Sequence, residues 1–428
     1  MRLPDFAYLA ASGPCAAAAA VRYARTGKPV AQWRAKVTGR TDVPPASGPR
    51  VWVHAVSVGE VLQVRPLLRE LQAARPGVDV VLSASTASGL KLAAETFPDV
   101  SVVPFPFDFS WAARRALDAI RPDAVCLVEL ELWPNFLAEA EARGVPVVVA
   151  NGRLSERSFR GYRRAGRLLR PTFGRLTHVA AQNPVYAGRF EDLGSPSVSV
   201  TGSMKFDGLR FDRDRPEVRE LRDALGFESG DRVLVAGSTH EPEEAVALDA
   251  YEEVRAARPE ARLLIVPRHP ERFGAVRSLI ASRGHAVWSR TGGGEDRRAV
   301  RLLDSVGELS AAWALADAAM VGGTLCDRGG QNMLEPAAYG VPVLMGPDTR
   351  NFAEIAAGLL DCGAAETVRN AGEVAAAVGR FWSDAAAERR VGDAAKAFAG
   401  SQRGAAERTA AVITGLLPTA VRSSRRSA

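Results

Sequence analysis

Several short segments of this chain combine residues able to move a proton with the small residues that a tight turn requires. HAVSVGE (residues 54–60) passes from an apolar run through a small-residue turn to Glu60, where a helical pattern begins. A carboxylate in a first helical turn is held ionised by the helix dipole. Gly59 permits close approach of a substrate to the backbone, and an ionised carboxylate there can accept a proton from a sugar hydroxyl. Glu60 is therefore either a general base or only a favourable helix start. In VELELWPN (128–135), strand alternation places Glu129 and Glu131 on one face and Leu130 on the other. Unpaired buried charge is costly, so these acids either form a structural ion pair with Arg153 or Arg157 or orient Glu60.

The second half carries residues suited to an anion. VLVAGSTHE (233–241) ends an apolar run on Gly237, Ser238, Thr239 and His240 ahead of a helix, and such a helix start attracts negative charge. LLIVPRHPERF (263–273) delivers Arg268 and His269. A guanidinium can hold a phosphate and an imidazole can hydrogen-bond it, with an exposed salt bridge the plain alternative for Arg268. Val306, Gly307 and Glu308 offer backbone groups to the edge of a nucleobase. In GGTLCDRGGQNMLEPAAYGVPVL (322–344), Gly322, Gly323, Gly329 and Gly330 surround a strand-to-helix turn, after which Asn332, Met333, Leu334 and Glu335 begin a helix. The glycines admit a nucleotide phosphate, and Glu335 can accept hydrogen bonds from both ribose hydroxyls. No metal is expected: His54, His178, His240, His269 and His285 lack ligand spacing, and the Asp212/Asp214 pair lies in a charged stretch with no apolar strand before it. P-loop and G-x-G-x-x-G patterns are missing, which argues against kinase and NAD chemistry.

These loops need strands to present them. Apolar, β-rich runs at 51–56, 78–84, 101–105, 124–130, 145–150, 177–181 and 198–201 alternate with helical stretches, beginning with 60–74. The alternation breaks in SMKFDGLRFDRDRP (203–216), which reads as a linker. It restarts with strands at 232–237, 262–266, 317–321 and 341–345 and helices at 217–225, 243–258, 271–283 and 331–340. Continuous Val/Ile/Leu runs separated by helices predict parallel sheets covered on both faces. The expected fold class is α/β, two Rossmann-like domains facing across a cleft, with ligands beyond the carboxyl ends of the strands. The expected domains are 41–205 and 206–400, followed by 401–428, a C-terminal helix returning to the first domain plus a basic tail.

Composition sets the outer limits. At 428 residues, the chain is too long for one core. A net charge of +6 on 47% apolar and 24% charged residues suits anionic small molecules or a membrane surface. It carries no nucleic-acid signature. Cys15, Cys126, Cys326 and Cys362 are scattered, which predicts a reducing compartment with no disulfide framework. Residues 1–40 read as a membrane-associated segment: an Ala-rich apolar run from Phe6 to Val21, then Arg22, Arg25, Lys28, Arg34, Lys36 and Arg40. The run falls short of the ~20 residues needed to span a bilayer, so an interfacial anchor with a basic flank is expected.

HAVSVGE, ELELWPN, NGRLSERS, AAQN, VTGSMKFD, STHEPEE, VPRHPERF, VGGT and GGQNMLEPAAYGVPVLMGP follow one another in the order found in bacterial 3-deoxy-D-manno-octulosonic acid (Kdo) transferases. The chain resembles that family from about residue 30 to about residue 360. The resemblance implies a GT-B-type inverting transferase that moves Kdo from CMP-Kdo to a lipid A precursor at the cytoplasmic face of the inner membrane, without a metal cofactor. It places the general base at Glu60 and a further acid at Glu131. CMP contacts fall on Arg268, His269, Val306, Gly307, Glu308, Asn332, Met333, Leu334 and Glu335, with Ser238, Thr239 and Gly323 beside them. Ala55 stands where the family commonly has Ser, and Met333 where it commonly has Pro. The competing readings are another GT-B nucleotide-sugar enzyme, a UDP-sugar transferase or epimerase, and a non-catalytic lipid A-surface protein.

Overall fold

A computed structural model of the chain describes residue 5 and residues 32–418, apart from 295 and 297. The apolar run expected to anchor the chain, 6–21, and the basic residues to Lys28 lie outside the described residues. Among the described residues, no helix is long and apolar enough to cross a membrane. The chain forms two compact units, one of residues 1–208 with 402–428, the other of residues 209–401.

The first unit holds a seven-stranded sheet: β1 (Arg50–His54), β2 (Asp79–Ala84), β3 (Ser101–Pro104), β4 (Ala124–Val128), β5 (Val147–Gly152), β6 (His178–Ala181) and β7 (Val198–Val200). Their order is β3-β2-β1-β4-β5-β6-β7, and every pairing is parallel. β1, β4 and β5 are buried along their whole length, because helices cover both faces and leave no position for a polar side chain to reach water. On one face Val51, Val53 and Cys126 pack with Val61, Val64, Leu67 and Leu71 of the helix Val58–Ala74. On the other, Trp52, Phe105 and Phe136 form a ring cluster with centroids 5.0–5.5 Å apart.

The second unit repeats the plan with β8 (Arg232–Thr239), β9 (Ala261–Pro267), β10 (Val287–Ser289), β11 (Val300–Leu302), β12 (Ala318–Val321), β13 (Val343–Met345) and β14 (Ala365–Thr367), ordered β10-β11-β9-β8-β12-β13-β14. Again all pairings are parallel. Gly237 in β8 lies so close to the Trp313 ring that an added Cβ would stand 2.4 Å from it. The helix Leu309–Leu315 can therefore pack on that strand only if residue 237 is glycine. Both sheets switch direction beside their first strand, between β1 and β4 and between β8 and β12. Crevices for ligands open at the carboxyl ends of such strand pairs.

The last helix among the described residues, Ala405–Gly415, belongs to the first unit, where Ala405, Ala406, Ala410 and Ile413 share the core of the helix Val58–Ala74. The Asp207 carboxylate caps it, accepting the N–H groups of Gly404 and Ala406 at 2.5 and 2.6 Å. Loss of an N-terminal cap costs about 1 kcal/mol. Asp207→Ala should therefore raise amide exchange across 405–415 about fivefold in hydrogen–deuterium exchange, with the helix Glu243–Ala257 unaffected. Unchanged exchange in 405–415 would contradict the cap.

Candidate functional site

In the first unit the loops after β1 and β4 gather three carboxylates. β1 ends at His54, and the chain turns through Ala55–Ser57 into the helix Val58–Ala74, placing Glu60 in its first turn. Glu60 is half-buried. One carboxylate oxygen accepts the Val56 N–H at 2.8 Å and the other the Ser57 hydroxyl at 3.0 Å. Burial raises its pKa, the two hydrogen bonds oppose that, Glu129 adds to the rise and Lys205 counters it. Glu131 is pushed up from 4.5 to about 7, first by burial and then by the charge of Glu60, against a 3.1 Å bond from the Trp133 indole N–H.

The expected alternation of Glu129 and Glu131 along a strand does not hold. β4 ends at Val128, and Glu129 turns the chain with φ 61°. Left-handed backbone at a residue other than glycine is costly and persists where its surroundings over-determine it. Here the Glu129 N–H is fixed to the Ala150 carbonyl. Nor does either acid pair with Arg153 or Arg157; they meet Glu60 electrostatically instead.

Residues not singled out from the sequence hold this arrangement. Asp108 accepts the Asn135 and Phe136 N–H groups at 3.1 and 2.7 Å, fixing the helix Pro134–Glu141 just after Glu131. Asn151, at φ 55°, donates to Gln63 at 2.9 Å and accepts the Met204 N–H at 3.0 Å, while Gln182 donates to its carbonyl. The NGR, AAQN and GSMK blocks thus converge on the helix that carries Glu60. His54 is fully buried, stacked on Phe105 at 3.7 Å, and held near pKa 3 by burial. It is a neutral core residue.

In the second unit the loops after β8, β9 and β12 meet. Gly322 lies so close to the Ser238 carbonyl that a Cβ would stand 2.2 Å from it. Ser238 itself adopts φ 55°. Thr239, expected to offer its hydroxyl to an anion, is fully buried and donates to Glu244 at 3.0 Å. Its side chain braces the turn. Arg268 follows β9, is exposed, and reaches Gln331 at 3.3 Å. Its charge bears on Glu335, whose carboxylate accepts the Asn332 amide at 3.0 Å and whose pKa is raised by burial. Met333 and Leu334 are fully buried, so only their backbone can meet a ligand. Val306 is 80% exposed and Gly307 sits at φ 98°. Glu308 accepts Arg290 at 3.2 Å and the Ser305 hydroxyl.

One further acid organises this loop set. Glu243 is fully buried and accepts four backbone N–H groups. One oxygen takes His240 at 2.9 Å and Gly323 at 2.7 Å; the other takes Thr324 and Leu325, both at 2.9 Å. The doubled acid of STHEPEE was its only trace in the sequence.

A family model described as 3-deoxy-D-manno-octulosonic-acid transferase (kdotransferase) matches residues 29–208. The chain is 32% identical over 377 residues to the 3-deoxy-D-manno-octulosonic acid transferase of Haemophilus influenzae, covering 86% of this chain and 87% of that one. It is 34% identical to the transferase of the same name from Bordetella pertussis, covering 84% and 85%. Among solved structures, UDP-GlcNAc 2-epimerase from Neisseria meningitidis superposes with TM-score 0.57 at 15% identity, covering 86% of this chain and 99% of that one. That likeness concerns the fold alone: two α/β domains with parallel sheets, as in GT-B glycosyltransferases. By sequence, the chain belongs to the 3-deoxy-D-manno-octulosonic acid transferase family and is a glycosyltransferase.

Proposed function

We propose that this Kdo transferase takes CMP-Kdo as donor and the acylated glucosamine disaccharide of a lipid A precursor as acceptor, with Glu60 as general base. It would act at the cytoplasmic face of the inner membrane and need no metal. The observation that carries the base assignment is the setting of Glu60. Its carboxylate is aimed by the Val56 N–H and the Ser57 hydroxyl, only half-buried, and raised in pKa toward the range where a base works. As the acceptor oxygen attacks the anomeric carbon, Glu60 takes its proton. The bond from that carbon to the CMP phosphate breaks on the opposite face, through an oxocarbenium-like transition state. Charge appearing on the leaving phosphate would be met by Arg268 and His269, whose loop is fixed by the Arg268 N–H to the Thr239 carbonyl. Glu335 and Asn332 form the polar pair suited to the ribose hydroxyls. Glu131, at about 7, is partly protonated at neutral pH and so limits the negative charge beside Glu60.

Two measurements test this reading. Glu60→Gln should lower kcat about 100-fold or more while CMP affinity stays within about twofold; retained turnover would refute the base. For Glu131 the sign is fixed by its raised pKa. The folded state binds more protons than the unfolded one between 4.5 and about 7, so stability falls as pH rises through that window. Glu131→Gln removes this loss. Its thermal midpoint relative to the unaltered chain should therefore climb between about pH 5 and about pH 8. A constant difference across that range would show that Glu131 titrates normally.

A further inference from the structure

Close to Arg268 and His269 lies an imidazole that nothing in the fold accounts for. His240 is 8% exposed, and its Nε2 has no hydrogen-bond partner among the described residues. A buried ring nitrogen left unpaired is costly, yet the backbone around it is fixed with care. Its own N–H goes to Glu243 at 2.9 Å, and the same carboxylate oxygen binds the Gly323 N–H at 2.7 Å. The residue before it, Thr239, is tied to Glu244, and the residue before that takes a left-handed φ of 55°. The ring stands edge-on to His269 with centroids 5.3 Å apart.

We infer that His240 is a ligand for the donor's phosphate, giving its Nε2 hydrogen to an oxygen of that group, and that Glu243 is the positioning residue that holds it against the glycine loop. The inference rests on the reading of this unit as the CMP-Kdo site and adds a residue to it. Several features agree. Arg328 and a second imidazole, His269, bear on the ring, and such groups draw an anion. Burial lowers the pKa of His240, and Arg328 and His269 lower it further, against the opposing charge of Glu243. The ring is thus neutral at physiological pH and, with its hydrogen on Nε2, donates without a proton being transferred. Gly323, at φ 74°, is joined to His240 through one carboxylate oxygen, so loop and ring move as a unit. A phosphate seated there would supply the acceptor that Nε2 lacks.

CMP and cytidine differ only in the phosphate, so titration calorimetry of the full chain with each reads the contact. His240→Asn puts an amide nitrogen near the Nδ1 position and none at Nε2; His240→Gln restores one at Nε2. The expected result is CMP binding weakened about tenfold in the Asn variant, with cytidine binding unchanged. The Gln variant should stay within about threefold of the unaltered chain for both ligands. An Asn variant that binds CMP normally would overturn the inference, as would equal loss of CMP and cytidine in both variants, the mark of a merely structural role. If the donor reading itself were wrong, the unaltered chain would not bind CMP at all, a different outcome from either.

Discussion

Parallel sheets collect the beginnings of many helices at one edge, and each beginning brings backbone N–H groups with no partner inside the helix. In this protein carboxylates answer part of that demand. Glu243 does so in its extreme form: a fully buried acid with four N–H donors, joining the turn after β8 to the glycine loop after β12. Four N–H groups give a buried carboxylate hydrogen-bond partners that no further side chain has to supply. Were that oxygen pair lost, His240, Gly323, Thr324 and Leu325 would each have an orphaned donor, and the loops around Arg268 would lose their common reference.

The first unit applies the same device with a different outcome. Asp108 and Asp207 are capping acids whose carboxylates bind N–H groups at helix starts. Glu60 also accepts an N–H, but it is only half-buried and surrounded by acids, not by a closed ring of donors. Its electrons remain available. The contrast between an acid fully engaged by backbone and one held but open separates scaffold from chemistry. Burial first, and neighbouring carboxylates after it, raise the pKa of both Glu60 and Glu131.

Much of the frame was legible in the sequence, for a physical reason. Strands buried on both faces, such as Val51–Val53, Cys126 with its neighbours, and Leu263–Val266, must be continuously apolar, and continuous runs are visible. The outer strands Val287–Ser289, Val300–Leu302 and Ala365–Thr367 are three residues each, too short to show a period, and were not anticipated. Glu129 shows where a pattern misleads. Its left-handed backbone ends the alternation that the strand reading assumed, and Glu131 reaches Glu60's surroundings by a turn. Thr239, Met333 and Leu334 sit in the right segments, but burial directs their side chains into the unit. Asn151, Asp108 and Glu243 were invisible as organisers because most of their partners lie tens of residues away, and no local spacing encodes such contacts.

The proposed transfer is a single displacement at the anomeric carbon, with Glu60 acting on the acceptor and not on the sugar. The configuration of the transferred sugar reports this directly. NMR of the product formed from CMP-Kdo and a tetraacyl disaccharide acceptor should show the Kdo linkage with its anomeric configuration opposite to that in the donor. Retention of the donor's configuration would require a second displacement and would contradict the role given to Glu60.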